Sequence, residues 1–367
     1  MRTLDAQLLD AAYEQRVLQQ VSRSFALTIP QLPPTLRRAV TNAYLVCRIV
    51  DTIEDEESLS LDQKRFFFQE FIKVINGHVS AEQFAAALYP LLSGSTLPGE
   101  RELIGNTPAI TRTTLTFSQK QQAAIKRCVT LMAQGMLGFQ EIKSPQGLKD
   151  LSDFGRYCYH VAGVVGEMLT DLFCEYSAEI SKNRERLLGL AVSFGQGLQM
   201  TNIIKDVWED KNHGACWLPQ DVFQRMGYDL KNLSSGRHTE EFGQGLAVLV
   251  GIARAHLQNA LAYTLMIPRH EAGIRKFCLW AIGMAILTLR KINKKRNYKS
   301  GAQVKISRRS VQAIIRVTQA TLWSDFLLKR LFGLTTRGLP SCPEIDEDER
   351  GNGLRKSSDL GAGESAD

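Results

Sequence analysis

The chain has 367 residues, 44% of them hydrophobic and 23% charged, with a formal net charge of +7. That apolar content supports a large globular core and excludes a wholly disordered chain. The positive balance points to anionic partners, but no zinc-finger spacing, aromatic RNP motif or basic heptad region supports nucleic acid as one of them.

Seven scattered cysteines (47, 128, 158, 174, 216, 278 and 342) with no C-x-x-C pair read as reduced thiols of a cytosolic protein. The opening Met1-Arg2-Thr3-Leu4-Asp5 leads into no apolar core, so a signal peptide is not expected. Pro33-Pro34-Thr35 opens an amphipathic helix to about Glu56. Ser60-Leu61-Asp62-Gln63 is a capping box before Phe66 to Ile75, and Asn76-Gly77 closes that helix. A second capping box, Ser118-Gln119-Lys120-Gln121, starts a helix to roughly Ile142. Periodicity predicts further helices over 148–175, 183–210, 239–267, 270–294 and 308–333. The best strand-like run, Gln303 to Ile306, is short. The expectation is an all-α bundle in one domain over residues 1–335, with inward-facing polar groups at its centre. The longest strongly apolar run, Phe277 to Leu289, is thirteen residues. A membrane crossing takes about 20 residues, so no spanning helix is expected. Arg290 to Arg309 carries nine lysines and arginines and no acid. From residue 336 the chain is expected to be an acidic, disordered tail, with eight acids and three bases from Pro340 to Asp367.

Two acidic motifs carry the chemistry. Asp51-Thr52-Ile53-Glu54-Asp55 and Asn202 to Asp210 each place two aspartates four residues apart, on one helix face. Tyr44 and Arg48 precede Asp51 on roughly the same stripe, and Gln199 and Asn202 precede Asp206 likewise. Such stripes are polar where a bundle helix is normally apolar. Carboxylates there suit magnesium, which takes oxygen ligands, keeps water, and binds through one or two carboxylates plus substrate phosphate. Two clusters facing each other would hold several cations around a diphosphate, and Arg or Lys nearby would share its charge. Asp51, Glu54, Asp55, Asp206 and Asp210 are the candidate ligands for Mg²⁺ or Mn²⁺.

With these residues the chain resembles the squalene and phytoene synthase family, an all-α isoprenoid-synthase fold with a central apolar cavity. Ser22-Arg23-Ser24-Phe25 is similar to the family's amino-terminal substrate-binding segment. Tyr44, Arg48 and Asp51 to Asp55 resemble its first aspartate-rich motif, and Tyr157 to Gly166 its central signature. Gln199, Asn202, Asp206 and Asp210 resemble its second aspartate-rich motif, and Trp217-Leu218-Pro219-Gln220 follows at the family's spacing.

The resemblance implies head-to-head joining of two farnesyl diphosphates through presqualene diphosphate. The final cation is then quenched by hydride from NADPH in the squalene branch, or loses a proton in the dehydrosqualene and phytoene branch. Phe277-Cys278 and Val304-Lys305-Ile306-Ser307-Arg308 resemble the squalene branch more, which implies Lys305 and Arg308 at the dinucleotide phosphate. Ala215, where the phytoene branch often has Arg, points the same way. Substrate contacts are implied for Ser22, Arg23, Ser24, Phe25, Gln199, Asn202, Lys205 and Phe277, with Tyr44 and Arg48 at the reacting end. His160 stands where the signature commonly has Tyr, so the proton-handling role falls to Tyr159 or His160. A cytoplasmic protein touching the inner face of the membrane peripherally is the expected setting, because substrate and product are lipids.

Overall fold

The computed structural model describes residues 2–234 and 239–341, and of residues 2–9 the backbone only. Eleven principal helices follow one another: α1 Arg2–Val21, α2 Pro34–Asp55, α3 Leu61–Ile75, α4 Gln119–Glu141, α5 Leu151–Cys158, α6 Val164–Tyr176, α7 Arg184–Asn212, α8 Glu240–Met266, α9 Ala272–Lys294, α10 Arg308–Thr321 and α11 Asp325–Thr336. No strand occurs among the described residues. Gln303 belongs to a short helical turn, Gly301–Val304, and not to a strand.

Both capping boxes form. Ser60 Oγ accepts from Gln63 N while the Gln63 side chain accepts from Ser60 N, and Ser118 and Gln121 repeat the exchange. Each reciprocal pair satisfies two orphan donors at a helix start. Two expected helices are interrupted. Residues 148–175 divide into α5, a π-helical segment Tyr159–Gly163, and α6. Residues 308–333 divide at Leu322 to Ser324, where Ser324 Oγ accepts from Leu327 N and caps α11. Of the tail expected from residue 336, Thr336 ends α11, and residues 342 onward, with Cys342, lie outside the described residues. The other six cysteines are free.

The core has two apolar clusters. One gathers α1 to α4, α6 and the first half of α7; the other gathers α5, the second half of α7, α8 and most of α9. Val161 and Phe194 pack against both. Here one expectation is corrected. By length and composition α7, α8 and α9 are each apolar enough to cross a membrane. Their apolar residues are interrupted by single glycines and polar residues, so the mean hydropathy is high although a search for unbroken apolar runs overlooks them. In the fold α8 lies along both α7 and α9, and 44% to 67% of the three apolar windows is buried inside the bundle.

Candidate active site

The two acidic motifs line one cavity of about 200 Å³. Helix α2 contributes Arg48, Asp51, Glu54 and Asp55. Helix α7 contributes Gln199, Asn202, Asp206 and Asp210. Both helices reach it with their last turns, which bear the aspartates. Tyr157, Val161, Ile203 and Trp217 supply the apolar wall. Tyr157 and Trp217 stack with ring centres 4.1 Å apart and planes 9° from parallel, and Phe139 meets Tyr157 edge-on at 5.2 Å.

Crowded carboxylates in a cleft favour their neutral forms. Burial, opposed by Arg48 and reinforced by Asp55, pushes Asp51 up to about 7. Burial and then Asp55 push Glu54 up to about 8. Asp210 rises to about 7 through burial, then Asp206 and, across the cavity, Asp55. Asp55 and Asp206 are raised as well, burial again leading. Asp55 opens to solvent at the rim, its side chain 65% exposed. Its carboxyl still rises through burial, Arg48 opposing the push and Glu100 adding to it.

The cations present are already engaged. Arg48 lies 3.4 Å from Asp51 and 3.9 Å from Asp55 and donates a short hydrogen bond to Glu100, a buried side chain of the helix Pro98–Gly105. Lys205 lies 3.0 Å from Asp206 and 3.3 Å from Asn202 Oδ1. Among the described residues no three His, Cys, Asp or Glu side chains converge on one point as a closed ion cage would require. The donor set is all oxygen, split between two walls and short of positive charge. It therefore fits Mg²⁺ held by one or two carboxylates and completed by phosphate and water, and not a protein-only cage.

The remaining candidates lie at different distances from this cavity. Phe25, Tyr44 and Phe277 come together, with Phe25 5.1 Å from Tyr44 and 6.4 Å from Phe277 between ring centres. Tyr44 donates to Val21 O at 3.3 Å. Ser22 Oγ accepts from Phe25 N at 3.0 Å, which positions that ring, while Arg23 and Ser24 are exposed.

Tyr159 and His160 do not line the aspartate cavity. Tyr159 reaches Glu167 at 3.5 Å, and His160 Nδ1 lies 3.1 Å from Leu131 O over Gly135, where a Cβ would stand 2.0 Å from the ring. Burial lowers the His160 pKa. The residues of that signature that do enter are Val161 and Tyr157, and the Tyr157 hydroxyl donates to Glu54 Oε1 at 3.4 Å. The available signal was the aromatic pair Tyr157 and Trp217, each inside a motif of its own. Glu100 gave no signal at all, being one of two acids in a short helix the periodicity did not mark.

Lys305 is exposed on the segment after Tyr298. That segment is fastened to α7: Trp208 Nε1 donates to Tyr298 O at 2.7 Å, Tyr298 donates to Ile204 O, and Gly301 N donates to Glu209 at 2.9 Å. A Cβ on Gly301 would stand 2.6 Å from Asp206 Oδ1, and Lys305 is among the charges that draw the Asp206 pKa down against its net rise. Arg308, also exposed, begins α10. A neighbouring hollow of about 370 Å³ is larger, but among its lining residues are Lys64, Gln140, Lys143 and His213 and none of the candidate metal ligands. The smaller cavity is the one whose residues can do the chemistry.

Known proteins resemble this chain in sequence and in fold. The chain is 29% identical to the squalene synthase of Schizosaccharomyces pombe over 279 residues, covering 75% of this chain and 58% of that protein. It is 32% identical to that of Solanum lycopersicum over 281 residues, covering 74% and 62%. The chain thus spans about three-fifths of the length of these relatives. A solved complex of TcSQS with the ligand BPH1237 superposes with a TM-score of 0.70 at 25% identity, covering 92% of this chain and 95% of that one. The model of the squalene/phytoene synthase family matches residues 18–310, and the chain belongs to that family.

Proposed function

We propose that the protein is a squalene synthase. It would join two farnesyl diphosphates head to head through presqualene diphosphate and reduce the product to squalene with NADPH. The observation that carries this reading is the single cavity into which both aspartate motifs open. Asp51, Glu54 and Asp55 on one wall and Asp206 and Asp210 on the other would hold Mg²⁺ or Mn²⁺. When bound, the metal supplies Lewis-acid withdrawal of charge from the leaving diphosphate. Arg48 and Lys205, released from Asp51, Asp55 and Asp206 as those carboxylates turn to cation, would pair with phosphate oxygens. The stacked faces of Tyr157 and Trp217 suit a carbocation in a drained space. Phe25, Tyr44 and Phe277 would hold the prenyl chain. Lys305, whose charge acts on Asp206, and the exposed Arg308 at the start of α10 suit the phosphates of NADPH, which supplies the hydride.

Tyr159 and His160 keep the proton-handling role only if substrate binding turns them toward the cavity. Tyr157 is the better-placed hydroxyl. The second reading, dehydrosqualene or phytoene synthesis without NADPH, shares the metal site, and the two differ only in product. We further propose peripheral work at the inner face of the membrane.

The test is product mass from purified protein, farnesyl diphosphate and Mg²⁺, with and without NADPH. Squalene appearing only with NADPH supports the reading; dehydrosqualene in both samples moves the protein to the other branch. Asp51→Asn and Asp206→Asn should each lower turnover by at least about 100-fold, a transition-state loss of ~2.7 kcal/mol, with circular dichroism unchanged. Near-normal activity in either variant would refute the metal assignment.

A further inference from the structure

The carboxyl-terminal helix pair presents an apolar stripe that the reaction cavity leaves unused. On α11, Leu328, Phe332 and Thr336, spaced by four, are buried against the bundle. A surface helix with that buried face normally carries polar residues opposite. Here Phe326 is 68% exposed, Leu334 63% and Leu327 46%, and Trp323 in the preceding turn is 56% exposed. After the exposed Trp323 in the turn that precedes α11, positions 326, 327, 330 and 334 follow helical spacing and form one stripe along the helix. Arg330 lies within it, its guanidinium carbon 5.8 Å from the centre of the Phe326 ring.

The charges around this stripe have one sign. From residue 308 to 341 the chain has six bases, among them Lys329, Arg330 and Arg337, against one acid, Asp325. Asp325 is held by Arg269 at 2.9 Å and by the buried Arg275 at 2.5 Å, so it is engaged away from Lys329, Arg330 and Arg337. Tryptophan, phenylalanine and leucine exposed together, with arginine and lysine among them, match the boundary between acyl chains and anionic headgroups.

We propose that the stripe from Trp323 to Leu334 seats the protein on an anionic bilayer. Trp323, Phe326, Leu327 and Leu334 enter the acyl boundary, and Lys329, Arg330 and Arg337 lie at the level of the lipid phosphates. This deepens the reading above by naming the face that meets the membrane. It rests on that reading only for the reason a lipid surface is useful.

The test uses the full chain and vesicles of three parts phosphatidylcholine to one part phosphatidylglycerol, beside vesicles of phosphatidylcholine alone. Of the four tryptophans only Trp323 is exposed, since Trp208 and Trp280 are 3% exposed and Trp217 8%. Quenching by brominated phosphatidylcholine in the mixed vesicles therefore reports on Trp323. The expected results are flotation with the anionic vesicles at low salt and quenching that Trp323→Phe removes. The triple variant F326S/L327S/L334S should partition roughly tenfold less or weaker still, and K329Q/R330Q/R337Q should lose the preference for anionic vesicles. All four substituted apolar positions are exposed, so these variants should keep wild-type circular dichroism.

No flotation at low salt overturns the proposal, as does a triple variant that floats like the wild type. A dimer broken by F326S/L327S/L334S in a chain that ignores vesicles also overturns it, and gives the face to a second copy. Product formation in detergent is followed in parallel. Product without vesicle binding refutes the docking face alone; vesicle binding without product refutes only the proposed reaction.

Discussion

Glu14 is 2% exposed and far from the aspartates, yet burial pushes its carboxyl up to about 7, against hydrogen bonds from Asn42 and Thr113. Asn42 Nδ2 donates to Glu14 Oε1 at 2.7 Å and to Ile110 O at 2.9 Å, so the carboxyl joins α1 to α2. Its pKa is higher folded than unfolded. Its contribution to stability is therefore complete below about pH 4.5 and disappears as pH rises through about 7, a change on the order of 3 kcal/mol. Glu14→Gln keeps the acceptor and removes the proton. The variant should match the wild type near pH 4.5 and exceed it above pH 7, in urea unfolding with chelator present throughout. A constant difference across that range would sink the assignment. Residues of this kind were not legible in the sequence, because a buried acid in α1 looks like any other acid on an amphipathic helix. The aspartates were legible because two of them, four apart in an apolar stretch, cost too much to bury unless a cation or a partner compensates them. Tyr157 was half legible. The aromatic signature stands out in the sequence, but which of Tyr157, Tyr159 and His160 faces the aspartates depends on local winding that residue types do not encode.

That winding belongs to the segment Tyr159–Gly163, where the backbone makes a π-helical turn between α5 and α6. A 3.6-residue period carried through from 148 to 175 misplaces every later side chain by part of a turn. The insertion fits because α7 comes close. A Cβ on Gly195 would stand 2.1 Å from Ala162 O, and one on Gly166 would stand 2.2 Å from Ala191 O. Gly195→Ala should therefore force α7 away from the π segment and cost several kcal/mol, on the order of 2–4, with loss of activity. Gly189, on the exposed face of the same helix, has nothing within 4 Å of its would-be Cβ. There Ala should stabilise by ~0.5–1 kcal/mol through helix propensity alone. Midpoints of denaturant unfolding for the two variants should move in opposite directions. Equal shifts would show that helix propensity, and not close approach, sets the glycine at 195. Helix starts at Ser60 and Ser118 were legible because a cap is a local signal. The break before α11 was not, since Leu322 and Trp323 continue the apolar period and only Ser324 marks the stop.

At the scale of the molecule, the aspartate cavity lies where the two apolar clusters meet. The first motif ends α2, whose apolar face belongs to one cluster. The second lies in the half of α7 that packs into the other. Without cation the facing carboxylates repel, as the effect of Asp55 on Asp210 indicates. A ligand that spans both walls should therefore stabilise the whole fold, and not one half of it. Mg²⁺ with inorganic diphosphate at about 100 times the dissociation constant contributes ~2.7 kcal/mol, which for a chain of this size raises the melting temperature by on the order of 3–6 °C. Neither Mg²⁺ nor diphosphate alone should do so, because the protein contributes too few oxygens to one point for the metal and too little free positive charge for the anion. Asp51→Asn and Asp206→Asn should each remove the shift in differential scanning calorimetry, although they lie on opposite walls. If Mg²⁺ alone gave the full shift, the carboxylates would have to close an ion cage by themselves. If one of the two variants kept it, the ligand would rest on a single wall, and the seam between the clusters would have no part in holding it.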